Sequence, residues 1–222
     1  MPAASFSPPR SATVSRATYD AGFGSSSRVY EQAGARFGMT PGRLARGGSG
    51  IEIRFTITDS PYGRLLTAVT DWGVCAVLLG PDDPTLVSNL AAEFPNAARN
   101  RVDDGADGWL TDLVTKVAAQ LRGELPAGPL PVDLIGTAFQ QRVWRALTEV
   151  PRGRTQSYRD IAVAIGQPKA VRAVAGAIAR NRIAVVVPCH RIIRDDGSVG
   201  GYRWGVPTKR QILASEKPHL DD

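Results

Sequence analysis

In the region that begins at residue 51, apolar and polar side chains first alternate with a period of two, which is typical of half-buried β-strands. Turns that contain glycine or proline divide this region into three predicted strands, at 51–58, 64–69 and 74–79. Two stretches with helical spacing follow, at 85–94 and 108–121. The pattern therefore predicts a small α+β domain over 51–130.

From residue 137 onward the apolar positions recur mostly with helical spacing. The predicted elements are helices over 138–150, 157–165 and 169–179, a buried strand over 184–187 and a last helix over 208–215. The run Gly166-Gln167-Pro168 separates the second predicted helix from the third. These two helices and the turn between them have the outline of a helix-turn-helix. The predicted fold class is thus α+β, with a sheet-plus-helix domain followed by a mostly helical domain at 136–217.

The first fifty residues differ from both of these regions. Residues 1–13 are rich in proline, serine and alanine, and we expect them to be disordered. Residues 14–47 show two helical stretches around a glycine-containing turn, with serine hydroxyls placed to cap the second helix. The run Gly47-Gly48-Ser49-Gly50 predicts a flexible linker, and therefore a domain boundary.

Composition excludes several classes of protein. The sequence has no run of about 18 apolar residues, and its N-terminus lacks the apolar core of a secretory signal, so we expect a cytoplasmic protein without a membrane partner. Two cysteines and two histidines show no metal-ligand spacing. We therefore expect reduced thiols, no metal and no cofactor.

Charge is distributed unevenly along the chain. Residues 139–213 carry 14 Lys/Arg against 4 Asp/Glu, whereas residues 51–138 carry 6 against 12. A basic region next to an acidic one indicates a face that meets a polyanion such as DNA. Solvated arginines on exposed helices are the alternative interpretation, and charge alone does not decide between them.

Each of the two cysteines either fills space in the hydrophobic core or takes part in a reaction. Cys75 lies inside the apolar run 74–79, and we expect it to be core filler. Cys189 follows Pro188 and precedes His190 and Arg191. Imidazole is the natural base at neutral pH, and nearby cations favour a thiolate over a thiol. Cys189 is therefore the candidate nucleophile, although adjacent cysteine and histidine alone are a weak signal.

The second half of the chain resembles a known family. The stretch from Gly136-Thr137-Ala138-Phe139 to Glu216, which includes Pro188-Cys189-His190-Arg191 and Gly200-Gly201-Tyr202-Arg203-Trp204-Gly205, resembles the O6-alkylguanine-DNA alkyltransferases (methylated-DNA–protein-cysteine methyltransferases). The nearest likeness is to the C-terminal half of the Ada adaptive-response proteins. The resemblance implies an RNase H-like first domain and a winged helix-turn-helix-like catalytic domain.

The resemblance also implies the reaction. Cys189 would accept the alkyl group of O6-alkylguanine, and of O4-methylthymine, irreversibly and once only. His190 would serve as its base through a water molecule, with Glu216 completing the relay, and Asn181 would join the second helix of the helix-turn-helix to the active-site segment. The partner is alkylated double-stranded DNA, bound by a monomer.

Two further groups of residues carry over from the family. At the DNA, Arg172 would fill the gap left by the flipped guanine, and Tyr158 would push against the phosphate of that nucleotide. Lys169 and Ala173 would lie on the helix that enters the minor groove. Around the flipped base, the resemblance implies a closing loop whose members are Val199, Gly200, Tyr202, Arg203 and Trp204. Trp204 stands where the mammalian branch has glycine, and its bulk predicts a preference for methyl over benzyl adducts.

Three functions remain open from the sequence. The first is single-turnover alkyl transfer. The second is damage binding without repair, which is disfavoured because proteins of that kind carry another residue in place of Cys189. The third is transcriptional regulation, because residues 14–47 resemble the second helix-turn-helix of AraC-type domains. The first AraC-type helix-turn-helix and a four-cysteine zinc domain are not found in this sequence, which weakens the third interpretation.

Overall fold

A computed structural model describes residues 50–103, 105–124 and 130–216. The predicted disordered tail at 1–13 and the predicted helix-turn-helix at 14–47 lie outside these residues. Within the described part of the chain, every helix is too short or too polar to cross a membrane. Mixed α+β structure, with the sheet first and the helical region second, agrees with the predicted fold class.

Four strands form one sheet in the order β3-β2-β1-β4. Their bounds are Glu52–Ser60 for β1, Gly63–Thr70 for β2, Gly73–Gly80 for β3 and Ala98–Arg101 for β4. The first three run antiparallel, whereas β4 pairs parallel to β1. The three predicted strands are confirmed. The fourth was not predicted, because its residues are all exposed and show no apolar alternation.

Two helices of the first unit, α1 (Asp83–Glu93) and α2 (Gly108–Leu121), pack on opposite faces of the sheet. Aspartates cap both N-termini through side-chain hydrogen bonds to backbone amides. Alternate residues of β2 and β3 therefore belong to two separate cores. Cys75 is buried in the core that also contains Leu86 and Leu90 of α1, as expected for core filler.

The second unit contains the remaining elements. They are α3 (Ala138–Thr148), β5 (Gln156–Ser157), α4 (Tyr158–Ala164), α5 (Val171–Ala179), a 3₁₀ turn at Cys189–Arg191, β6 (Ile192–Ile193) and α6 (Val206–Ser215). Capping boxes begin α3 at Thr137 and α4 at Ser157. The predicted helices are confirmed, but α5 begins at Val171, so Lys169 lies in the turn before it.

The prediction of a buried strand at 184–187 is wrong. The amide of Val186 donates to the carbonyl of Ala184 at 2.6 Å, which closes a tight turn around Val185 at φ 65°. Among the described residues, Val185 is the only non-glycine with positive φ. The β-branched run favours a strand by local propensity, and the tertiary structure overrides that preference.

Candidate active site

The segment that leads to Cys189 is attached to the edge of the sheet. The amide of Val77 in β3 donates to the carbonyl of Arg182 at 2.8 Å, and the amide of Ala184 donates to the carbonyl of Val77 at 3.1 Å. A second tight turn follows at Pro188, with φ −80° and ψ 58°, and the amide of Cys189 bonds across it to Val187. The first unit therefore supports the backbone that presents the cysteine.

Asn181 contacts both ends of this segment. Its side-chain amide nitrogen Nδ2 lies 3.0 Å from the sulfur of Cys189 and 2.9 Å from the carbonyl oxygen of Val187. Its oxygen Oδ1 accepts from the amide of Ile183 at 3.0 Å. Asn181 and Cys189 are both buried. The side chain thus orders the loop and directs a hydrogen-bond donor at the sulfur.

His190 and Glu216 form a buried pair behind the cysteine. The ring nitrogen Nε2 of His190 lies 2.9 Å from Oε1 of Glu216. Arg191 donates to the same carboxylate through Nη2 at 2.6 Å and through Nε at 2.9 Å. The structure therefore pairs two residues of the predicted relay, His190 and Glu216, and Arg191 holds the Glu216 carboxylate in place.

Burial and these contacts fix the protonation states. Burial raises the pKa of the Cys189 thiol to about 11, although the Asn181 hydrogen bond opposes this. Burial also raises the pKa of Glu216, but hydrogen bonds from His190 and Arg191 outweigh it and hold that pKa at about 2. The Cys189 side chain in the free protein is therefore a thiol at neutral pH, and it has to lose its proton before it can act as a nucleophile.

The same contacts select the tautomer of His190. Burial lowers the pKa of His190 below 6.5, so its ring is neutral at pH 7. Since Glu216 is ionised and can only accept, Nε2 carries the proton and Nδ1 has a free lone pair. Nδ1 is buried and has no hydrogen-bond partner among the described residues. That nitrogen is available to receive the thiol proton.

A cavity of about 330 Å³ opens onto Cys189. Four of the predicted site residues line it, namely Tyr158, Cys189, Tyr202 and Arg203. One face of α5 supplies further lining residues, Ala175, Ile178 and Ala179, at the i, i+3, i+4 spacing of a helix. Those three were not predicted to line a site.

Three predicted loop residues lie outside this cavity. Val199 lines a different cleft, and Trp204 lines a cleft of about 530 Å³ on the side of the loop that faces β2 and β3. Gly200 has φ +65°, and a Cβ there would stand 3.4 Å from the hydroxyl of Tyr158. Trp204 instead packs edge-on against Tyr202, with ring centroids 5.1 Å apart, so it lies behind the cavity wall rather than in it.

Lys209 is a buried cation that was missed in the sequence. It lies in α6 with its side chain fully buried, and its amino group donates to the carbonyl of Ile192. Burial lowers the pKa of Lys209 to about 8, and its charge lowers the pKa of Cys189. A lysine between threonine and arginine in a short helix is normally exposed, so sequence pattern alone gave no signal for its burial.

Three of the four residues predicted to contact DNA lie together at the start of α5, whereas the fourth, Tyr158, lines the cavity. Lys169 precedes α5, and Arg172 and Ala173 lie in its first turn; all three are exposed. The same helix carries Ile178 and Ala179 of the Cys189 cavity toward its other end. A ligand that lay along the first turns of α5 would therefore lie close to the cavity mouth.

Comparison with protein families and with curated proteins gives one consistent result. Residues 138–218 match the model of the DNA-binding domain of 6-O-methylguanine DNA methyltransferase. The chain is 46% identical over 204 residues to the bifunctional transcriptional activator/DNA repair enzyme Ada of Escherichia coli. This alignment covers 92% of the chain and 56% of the Ada protein. The chain is also 46% identical over 166 residues to a methylated-DNA–protein-cysteine methyltransferase of Mycobacterium tuberculosis, covering 74% of this chain and 93% of that protein.

Solved structures of proteins from Mycobacterium tuberculosis are similar to the described fold. The crystal structure of Mycobacterium tuberculosis O6-methylguanine methyltransferase matches with a TM-score of 0.60 and 35% identity, over 74% of this chain and 93% of that one. The crystal structure of Mycobacterium tuberculosis OGT in complex with DNA matches with a TM-score of 0.59 and 33% identity, over 75% of this chain and 96% of that one. The chain spans about half the length of the Ada protein.

Proposed function

Because the chain belongs to the methylated-DNA–protein-cysteine methyltransferase family, we propose that it repairs alkylated DNA by direct reversal, with Cys189 as the residue that accepts the alkyl group. The observation that carries this proposal is the position of Cys189, which opens onto a cavity, receives a hydrogen bond from Asn181 and lies next to the His190–Glu216 pair. The substrate is O6-alkylguanine, mainly O6-methylguanine, and O4-methylthymine in duplex DNA.

The reaction is a displacement at the alkyl carbon. The thiol proton of Cys189 passes through a bridging water to Nδ1 of His190, and Glu216 stabilises the imidazolium that forms. The sulfur then forms a bond to the alkyl carbon as the carbon–O6 bond breaks, and the electron pair stays on the guanine, which takes up a proton. The products are unmodified guanine and a thioether, which has no easy route back to a thiol. Each molecule therefore acts once.

The target atom has to leave the base stack before it can meet Cys189. Extrusion costs a few kcal/mol, and insertion of a side chain into the vacated space offsets part of it. We assign that insertion to Arg172, with Tyr158 against the phosphate and Lys169 and Ala173 beside the minor groove. In this proposal the second unit acts as a winged helix-turn-helix-like module on an RNase H-like first unit, and the protein binds as a monomer.

Transfer of labelled methyl groups tests the proposal. Incubation of the full chain with duplex DNA that carries O6-[³H-methyl]guanine should move label to the protein, in a stoichiometry that stops at one methyl per molecule. Cys189→Ala should take up none. Cys75→Ala is the matched control, because that cysteine is buried in a separate core, and it should take up label at the wild-type stoichiometry. Uptake by Cys189→Ala would refute the assignment.

An Ada-type regulator of the alkylation response is the second candidate. The alignment with Ada covers 204 residues, more than lie after residue 50, so it extends into the first fifty residues. We therefore propose that residues 14–47 retain AraC-type DNA contacts. A footprint on a defined promoter that is lost when residues 1–47 are removed would support this role. The cytoplasm as the compartment stays a prediction from the sequence.

A further inference from the structure

Glu93, the last residue of α1, reaches from the first unit to two arginines of the second. Its carboxylate forms ion pairs with Arg182 and with Arg203, and its side chain is 18% exposed. Burial raises the pKa of Glu93, but hydrogen bonds from Arg203 and Arg182 outweigh it and keep that pKa below its ordinary value. The carboxylate is therefore ionised at neutral pH and holds both guanidinium groups.

Arg182 is the fixed side of this bridge. Its carbonyl accepts the amide of Val77 in the sheet, and its Nη1 donates to the carbonyl of Ile135 at 2.7 Å. The guanidinium also lies 5.4 Å from the ring centre of Phe94. Three contacts besides Glu93 thus hold Arg182, and a carboxylate bound to it has a defined position.

Arg203 is the adjustable side. It lines the Cys189 cavity, and its side chain is 29% exposed. Its guanidinium lies 5.9 Å from the ring centre of Trp204. Within the described part of the chain, Glu93 is the only hydrogen-bond partner of that guanidinium. The position of this part of the cavity wall therefore depends on one carboxylate from the other unit.

We propose that Glu93 is a positioning residue that sets the adduct selectivity of the cavity, by holding Arg203 at a fixed distance from Arg182. The inference rests on the proposed alkyl transfer to Cys189. When Glu93 is present, the Arg203 wall is rigid and the cavity favours a small adduct. Without it, the long side chain of Arg203 moves away from the wall, and the cavity accepts a bulkier group at less cost.

Rates of transfer from two duplexes, one with O6-methylguanine and one with O6-benzylguanine, test the inference on the full chain. We expect Glu93→Gln to raise the benzyl-to-methyl rate ratio about fivefold, within the range of coupling between residues in contact. Arg203→Gln should raise the ratio similarly. The double variant should show no further increase, because both changes release the same contact.

Asp83 provides the matched control. It lies at the opposite end of α1 and also pairs with two arginines, Arg64 and Arg101, but none of these three lines the cavity. Asp83→Asn should leave the ratio at its wild-type value, whatever it does to stability.

Three outcomes would overturn the inference. Glu93→Gln could leave the ratio unchanged or slow both transfers in equal proportion, as expected of a purely structural residue. If that variant does not fold, an unchanged ratio in Arg203→Gln decides in the same way. Absence of transfer from both duplexes by the wild-type chain would instead refute the proposed function, and with it the basis of the inference.

Discussion

The side-chain amide of Asn181 donates a hydrogen bond to the sulfur of Cys189 across 3.0 Å, although eight residues separate them in the chain. The orientation of this amide is fixed, because its oxygen accepts from Ile183 while its nitrogen also donates to Val187. A donor that points at sulfur favours the thiolate over the thiol. The contact therefore opposes the effect of burial on Cys189 at the moment when the proton leaves.

Asn181→Ala should slow alkyl transfer about 10- to 100-fold, because a hydrogen bond to a charged group contributes about 1.5–3 kcal/mol. The measurement is the rate of methyl uptake from duplex DNA, together with the rate of thiol alkylation by iodoacetamide as pH rises. The thiol of the variant should react only at higher pH. Asn100→Ala is the control, since that exposed asparagine bonds Glu52 far from the cavity. Equal rates for the two variants would contradict the assigned role.

The rate of alkyl transfer should fall on the acid side as His190 gains a proton. Because burial lowers the pKa of His190, this fall lies below pH 6.5. The hydrogen bond that His190 donates to Glu216 raises that pKa, so Glu216→Gln should move the midpoint to lower pH and also lower the plateau rate, because the base is weaker. Methyl uptake measured between pH 4.5 and 8 gives both quantities. A midpoint that moves to higher pH would show that another group controls the acid limb.

Glu216 should also make the fold sensitive to acid. Its pKa is held at about 2 in the folded state against an ordinary value of 4.5, so the ionised form stabilises the fold above pH 4.5. That contribution, about 3 kcal/mol, is lost as pH falls from 4.5 toward 2. Urea unfolding at several pH values should give a shallower pH dependence for Glu216→Gln in this window. Glu149→Gln, at the exposed residue that follows α3, should retain the wild-type dependence.

The spacing of apolar residues predicted the helices and strands of this fold better than it predicted the path of the chain between them. The alternation at 51–58 and the caps at Thr137 and Ser157 act within a few residues, and the corresponding elements are present. Val185 adopts a positive φ only because the sheet edge and Asn181 hold the segment around it. Propensity carries no information about such long-range contacts.

In the candidate site too, some residues could be predicted from the sequence, whereas features that depend on long-range contacts could not. Neighbouring residues made Cys189 the candidate nucleophile, and the resemblance added the relay of His190 and Glu216. The structure pairs His190 with Glu216 and opens a cavity onto Cys189. The buried state of Lys209 was not predictable, since burial of a lysine depends on the packing of distant elements. Trp204 was expected in the wall of the base pocket, but alternation along an irregular loop does not define which side a residue faces.

Gly136→Ala should destabilise the second unit. A Cβ at this position would lie 2.4 Å from the ring of Trp144, which is buried and donates through Nε1 to the carbonyl of Ala177 at 2.9 Å. Because the ring cannot move without losing that bond, we expect a cost of about 1–3 kcal/mol in unfolding free energy. Gly108→Ala, at the open start of α2, should leave thermal stability unchanged or slightly higher. Equal melting temperatures for the two variants would contradict the packing described.

Trp204 should restrict the adduct through Tyr202 rather than by contact. Its ring packs edge-on against that of Tyr202, which lines the cavity, and such a pair contributes about 0.5–1.5 kcal/mol. Trp204→Gly should free Tyr202 to swing outward and raise the rate with O6-benzylguanine about 2- to 10-fold relative to O6-methylguanine. Trp72→Gly removes an exposed tryptophan from a turn of the sheet and should leave both rates unchanged. If Trp204→Gly brings no gain with the benzyl adduct, then Tyr202 is held by the rest of the loop, and Trp204 does not contribute to selectivity.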